Sequence, residues 1–137
     1  MLFPLPEAET LEATCWKLVR SECSPNWHQK LQKLELVSAG ERWRERLGEE
    51  LVGEVLPGGY LLQLMDYRGD DIGRDAILRT TLRLLENLFG GAPIRVWNAT
   101  WFDVKNESTS PWAWISASEW VFETNTGSYL LVLAHDG

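Results

Sequence analysis

Side chains that carry chemistry are scarce in this sequence. Among its 137 residues are two histidines and two cysteines. A nucleophile–base–orienter arrangement, or a zinc site with three or four ligands, has almost nothing to draw on. His28 falls near the start of a helical pattern, and the spacing of Cys15 and Cys23 from it supports no catalytic pair. With no paired framework elsewhere, the two cysteines read as reduced thiols. Basic residues are also short, 13 Lys and Arg against 20 Asp and Glu, for a net charge of −7. That balance excludes nucleic-acid binding driven by phosphate neutralisation.

Long apolar runs are missing too. No stretch approaches the ~18–20 residues that cross a bilayer, and "MLFPLPEAET" lacks the basic start of a secretory signal. No membrane association and a cytoplasmic location are therefore expected. Phosphate loops are absent, because "PGG" and "FGGAP" have neither the Lys-Ser/Thr ending nor the strand-to-helix setting. "RGDDIGRD" holds Asp70, Asp71 and Asp75 beside Arg68 and Arg74 but lacks the twelve-residue calcium pattern. Helix capping and local ion pairs account for it. Neither a metal nor a cofactor is expected, and no motif carries an enzyme class.

What is present is a globular composition, 45% hydrophobic and 24% charged, with eight tryptophans. The chain reads as one domain over 1–137: a helical part about 6–56, a strand–helix unit about 60–90, and a β-meander about 94–136. In "EAETLEATCWKLVR", Ala8, Leu11, Cys15, Leu18 and Val19 recur at helical spacing. Ser24-Pro25 predicts a second helix running through Trp27, Leu31 and Leu34. Ser38-Ala-Gly-Glu41 reads as a capping box opening a helix with Trp43, Leu47, Leu51 and Val55 on one stripe. Gly48 and Gly53 each weaken that helix by roughly 1 kcal/mol relative to Ala. "YLLQLMDY" reads as a strand. "RDAILRTTLRLLENLF" reads as a helix with Ile77, Leu78, Leu82, Leu85, Leu88 and Phe89 inward, ending at Gly90-Gly91. "IRVWNATWFDV", "WAWISASEWVFET" and "YLLVLAH" then read as strands in series. Helices first and strands last predict an α+β fold, N-terminal helices packed on a C-terminal antiparallel meander of three to four strands.

The tryptophans decide which face of that sheet matters. Alternation puts Trp112, Trp114, Ser116, Ser118, Trp120 and Phe122 on one face. Ala113, Ile115, Ala117, Glu119, Val121 and Glu123 fall on the other, with Glu119 and Glu123 expected as solvated carboxylates. If the strand over 94–104 lies alongside, Trp97 and Trp101 join Trp112, Trp114 and Trp120 around a shallow serine-floored trough. Rings packed as core are the plain expectation; rings presented to a partner are the functional one.

From Asp103 onward the acidic residues Asp103, Glu107, Glu119, Glu123 and Asp136 face the single Lys105. The leading functional expectation is therefore a small acidic protein-binding module, of inhibitor, immunity or assembly-adaptor type. It would engage another protein, a basic one by complementarity, through Trp112, Trp114, Trp120, Glu119, Trp97 and Trp101. The alternative is an α+β pocket for a flat hydrophobic molecule, with Asp66, Asp103 or His135 as acid–base candidates for an enzyme. A homodimer through the sheet is a third reading.

Overall fold

A computed structural model describes residues 1–52, 71–113 and 116–135. The strand expected over 60–67 and the positions of Asp66, Trp114 and Ile115 lie outside them. The fold is α+β, and two compact units divide the chain: residues 1–39 with 93–137, and residues 40–92. The first unit holds strand β1 (Leu2–Pro4), helix α1 (Leu11–Glu22), the single turn α2 (Pro25–His28) and strands β2 (Leu31–Ser38), β3 (Arg95–Asp103), β4 (Ser108–Thr109), β5 (Ser116–Thr124) and β6 (Gly127–His135). The second holds α3 (Trp43–Val52) and α4 (Asp71–Leu88). All strand pairings are antiparallel, in the order β1-β6-β5-β3-β2, with β4 also on β3. The expected meander is β3, β5 and β6; β1 and β2 extend it on either side.

Helix α1 starts where Thr10 caps it, the Oγ1 accepting the Ala13 N–H at 3.1 Å. Glu12 in the first turn and Arg20 in the last complement the helix dipole. Its stripe of Cys15, Leu18 and Val19 packs on Leu31, Leu34, Ala99, Trp101, Val121, Leu130 and Val132 of the sheet. Each aliphatic side chain removed from water there stabilises the fold by roughly 1.5–3 kcal/mol.

The helix expected through Trp27, Leu31 and Leu34 stops at His28, and Leu31 opens β2 instead. The reason is a β-bulge. Leu31 pairs with Asp103 and Lys33 with Phe102, so one extra residue sits in β2 and the register shifts. Leu31 and Leu34 are thereby both buried at a spacing of three, which on paper imitates a helix. The expected capping box also falls away. Ser38 ends β2 opposite Trp97, Gly40 turns the chain at φ +80°, and α3 begins at Trp43.

In the second unit Trp43, Leu47 and Leu51 of α3 are buried as expected; Val55 lies outside the described residues. Phe89, just beyond α4, is buried, whereas Leu88 is 62% exposed and does not belong to the inward face. Gly90 and Gly91, both at positive φ, end that helix, with the Gly91 N–H donating to the Glu86 carbonyl at 2.8 Å. Gly48 is placed by contact: a Cβ there would come within 2.9 Å of both Leu78 methyl groups. No helix among the described residues is long and apolar enough to cross a membrane.

Candidate functional site

Strand β3 changes partners partway along its length. It pairs with β5 from Arg95 to Ala99, then with β4 at Trp101 and Phe102, while β2 follows its other edge from Trp97 to Asp103. Where β5 and β4 part company a cleft of about 190 Å³ opens, lined by Ala99, Thr100, Ser108, Thr109, Ser110, Ala117 and Glu119. Thr100 and Ser108 are exposed and form its mouth; Ala99, Ser110 and Glu119 are buried and form its floor.

Glu119 is the chemical centre. Its residue is 3% exposed, and its Oε1 accepts the Trp101 Nε1–H at 2.8 Å and the Trp112 Nε1–H at 3.1 Å. Those two bonds occupy both lone pairs of one oxygen. No donor of the described residues reaches Oε2. Because every fully buried side-chain oxygen among those residues has a partner, Oε2 is not sealed in. Burial pushes the carboxyl up from its ordinary 4.5 to about 7, against the two indole N–H groups, which pull it down.

The donors are themselves held. Trp16 of α1 meets Trp101 edge-on at 4.8 Å, and Phe3 of β1 stacks on Trp112 at 4.9 Å. The Ser110 Oγ accepts the Trp112 backbone N–H at 3.1 Å, fixing the turn that delivers this indole to Glu119. A second pair repeats the first: Trp97 Nε1–H donates to Glu123 Oε1 at 2.6 Å. Trp97 and Trp101 are four apart on β3, Glu119 and Glu123 four apart on β5, and each tryptophan reaches diagonally across the strand pair.

This arrangement corrects the expected trough. Trp97 and Trp101 share the face of Glu119 and Val121, whereas Trp120 pairs with Asn98 on the opposite face, near Val96 and Phe122, and has no exposed area. Trp112 precedes β5, so strand alternation does not govern it, and it joins Glu119 rather than Trp120. Of the six expected site residues, Glu119, Trp101 and Trp112 come together, Trp97 lies one pair along with Glu123, Trp120 stands apart, and Trp114 is outside the described residues. Glu119 is buried rather than solvated.

The other acid–base candidates do not join this site. The Asp103 carboxylate builds the β3–β4 turn, its Oδ1 accepting the Lys105 and Glu107 N–H groups at 2.9 and 3.1 Å. His135 ends β6, and its side chain is outside the described set. Both thiols are free and lie near Glu119. Burial pushes Cys15 up to about 12, against a hydrogen bond with Thr14, and Cys23 to about 11, the charge of Glu119 adding to both. The Cys23 thiol donates to the Pro111 carbonyl at 3.3 Å. Such thiols are poor nucleophiles.

The hydroxyl walls, Thr100, Ser108, Thr109 and Ser110, went unmarked in the sequence reading. Their one legible trace is "NESTSP", where a run of small polar residues sits directly before a tryptophan. No cluster of three or more His, Cys, Asp or Glu side chains able to hold a metal occurs among the described residues. Comparison with protein-family models, with curated proteins and with solved structures finds no match.

Proposed function

We propose that the chain is a ligand-binding α+β protein whose working part is the cleft beside Glu119. One observation carries this reading. A carboxylate that is 3% exposed, with one oxygen fastened by two indoles, lines a cleft of about 190 Å³ whose other polar walls are hydroxyls. Burying an ionisable group without a counter-charge opposes folding. A carboxyl held at that cost beside a cleft, and tuned to titrate near neutrality, is what binding and catalytic sites characteristically contain.

Relative to the pocket expected from sequence, the ligand changes character: the walls favour a small polar molecule over a flat hydrophobic one. For the docking reading, Trp101 and Trp120 are 1% and 0% exposed and have no ring area to offer a protein, whereas Trp97 and Trp112 are half-buried. Glu119 stays a binding residue under either reading. The cleft's own chemistry is hydrogen bonding and the exchange of one proton with whatever occupies it.

An NMR screen of small polar fragments tests this. Shifts should gather on the amides of Ala99, Thr100, Ser108 to Ser110 and Ala117 to Glu119, together with the indole N–H signals of Trp101 and Trp112. Ser108→Phe at the mouth should abolish them while leaving the rest of the spectrum in place. Shifts scattered over the surface, or shifts that survive Ser108→Phe, would refute the cleft.

A further inference from the structure

We infer that the cleft selects an N–H-rich organic cation, a guanidinium, amidinium or primary ammonium group, bound through Oε2 of Glu119. The inference rests on the cleft being the ligand site and assigns the chemistry of what fills it.

The charge balance comes first. No Lys, Arg or His among the described residues pairs with Glu119, and none lines the cleft. The two indoles give hydrogen bonds to Oε1 but no positive charge. Among the described residues the ionised carboxylate therefore has no counter-charge and no donor at its second oxygen, and a donor cation supplies both. An anion would meet the carboxylate with no basic group to offset it.

A metal ion fits poorly. With Oε1 occupied, one carboxylate oxygen and neutral hydroxyls fall short of the six to eight oxygens that calcium takes. An N–H cation also suits a lining that includes Thr109, on the face of Trp101 and Glu119, and Ser110, because a hydroxyl oxygen can accept from its remaining protons.

Size narrows the class. A cavity of ~150 Å³ admits benzene, so about 190 Å³ holds a group of that scale. Ethylguanidinium and the head of an arginine side chain both qualify. The net charge of −7 draws either toward the protein. The shared chemistry has two sources, a free small cation or the side chain of a basic partner, and the latter joins this site to the expected basic partner.

The experiment is an NMR and calorimetric titration of the full chain with ethylguanidinium, with its neutral isostere N-ethylurea, and with the blocked peptide acetyl-Gly-Arg-Gly-amide. Ethylguanidinium should shift the cleft amides and the Trp101 and Trp112 indole signals. N-ethylurea should bind about tenfold or more weakly, and Glu119→Gln should lose the cation by a similar factor, the worth of a charge-assisted hydrogen bond. Ser108→Phe, with Glu119 intact, should block both ligands and so separates a filled cleft from a lost fold. Peptide binding tighter than ethylguanidinium assigns the cation to a protein side chain; the reverse order assigns it to a free solute.

Equal binding of the urea and the cation overturns the inference and leaves the cleft standing. Absence of any cleft shift with all three probes overturns both.

Discussion

Glu119 shows how one side chain can set the pH response of a fold. Unfolded, its carboxyl titrates at its ordinary 4.5; folded, burial holds it near 7. Below about 4.5 both states carry the proton. Between 4.5 and 7 the native state keeps a proton that the unfolded state has released, so rising pH favours unfolding. Above about 7 the loss levels off at a magnitude on the order of 3 kcal/mol. The side chains facing Glu119 do not disturb this window. Trp101 and Trp112 do not titrate, and the Cys15 and Cys23 thiols stay neutral throughout it.

Urea denaturation of the wild type and of Glu119→Gln at pH 5 and pH 8 isolates the effect. The wild type should lose about 2–3 kcal/mol relative to the variant on going from pH 5 to 8. An unchanged gap would mean an ordinary carboxylate. At this scale the sequence was half legible. Glu119 and the matched four-residue spacings of tryptophan and glutamate stood in plain view. Which tryptophan faced which glutamate depended on register and on where β5 begins, and neither is written locally.

At the scale of elements, the helices with an uninterrupted stripe could be read and the irregular strand could not. Cys15, Leu18 and Val19 announced α1, and Trp43, Leu47 and Leu51 announced α3. Strand β2 was mistaken because its bulge sets Leu31 and Leu34 three apart, a spacing that helices share. Strand β1 is three residues long, too short for any pattern to show.

Gly48 looked like a weakness in a helix and is a contact. Its missing side chain lets α3 approach Leu78 of α4, beside an Arg44–Glu86 ion pair of 2.7 Å on the same two helices. Gly48→Ala should cost little, since about 1 kcal/mol of helix propensity offsets a small shift of the Leu78 methyl groups. Gly48→Val fills more space with a stiffer side chain and should destabilise by about 1–3 kcal/mol. Thermal melts of the two variants check the pair, and equal stability would show that α3 and α4 are not in close contact at this point.

For the whole molecule, none of the seven described tryptophans stands fully in water. Trp43, Trp101 and Trp120 are buried, and Trp16, Trp27, Trp97 and Trp112 are partly so. Acrylamide should therefore quench the fluorescence weakly. Iodide should quench it less still, because a net charge of −7 repels the anion. Strong iodide quenching that fades with a bound protein would support the tryptophan-anchored docking expected from composition.

Composition and element order made the α+β class legible. The division into two units was not, because the sheet-bearing unit is assembled from segments on both sides of residues 40–92. That layout bears on how the protein emerges from the ribosome. Residues 40–92 are contiguous, so α3 and α4 are both made before β3. The sheet is not: Leu2 pairs with Leu131, so β1 waits, unpaired, until β6 is made. Non-local pairing of this kind slows folding and lengthens the exposure of apolar strand surface during synthesis. Until β6 is released, β1 has no edge to join, and Phe3 has no strand to hold it against Trp112.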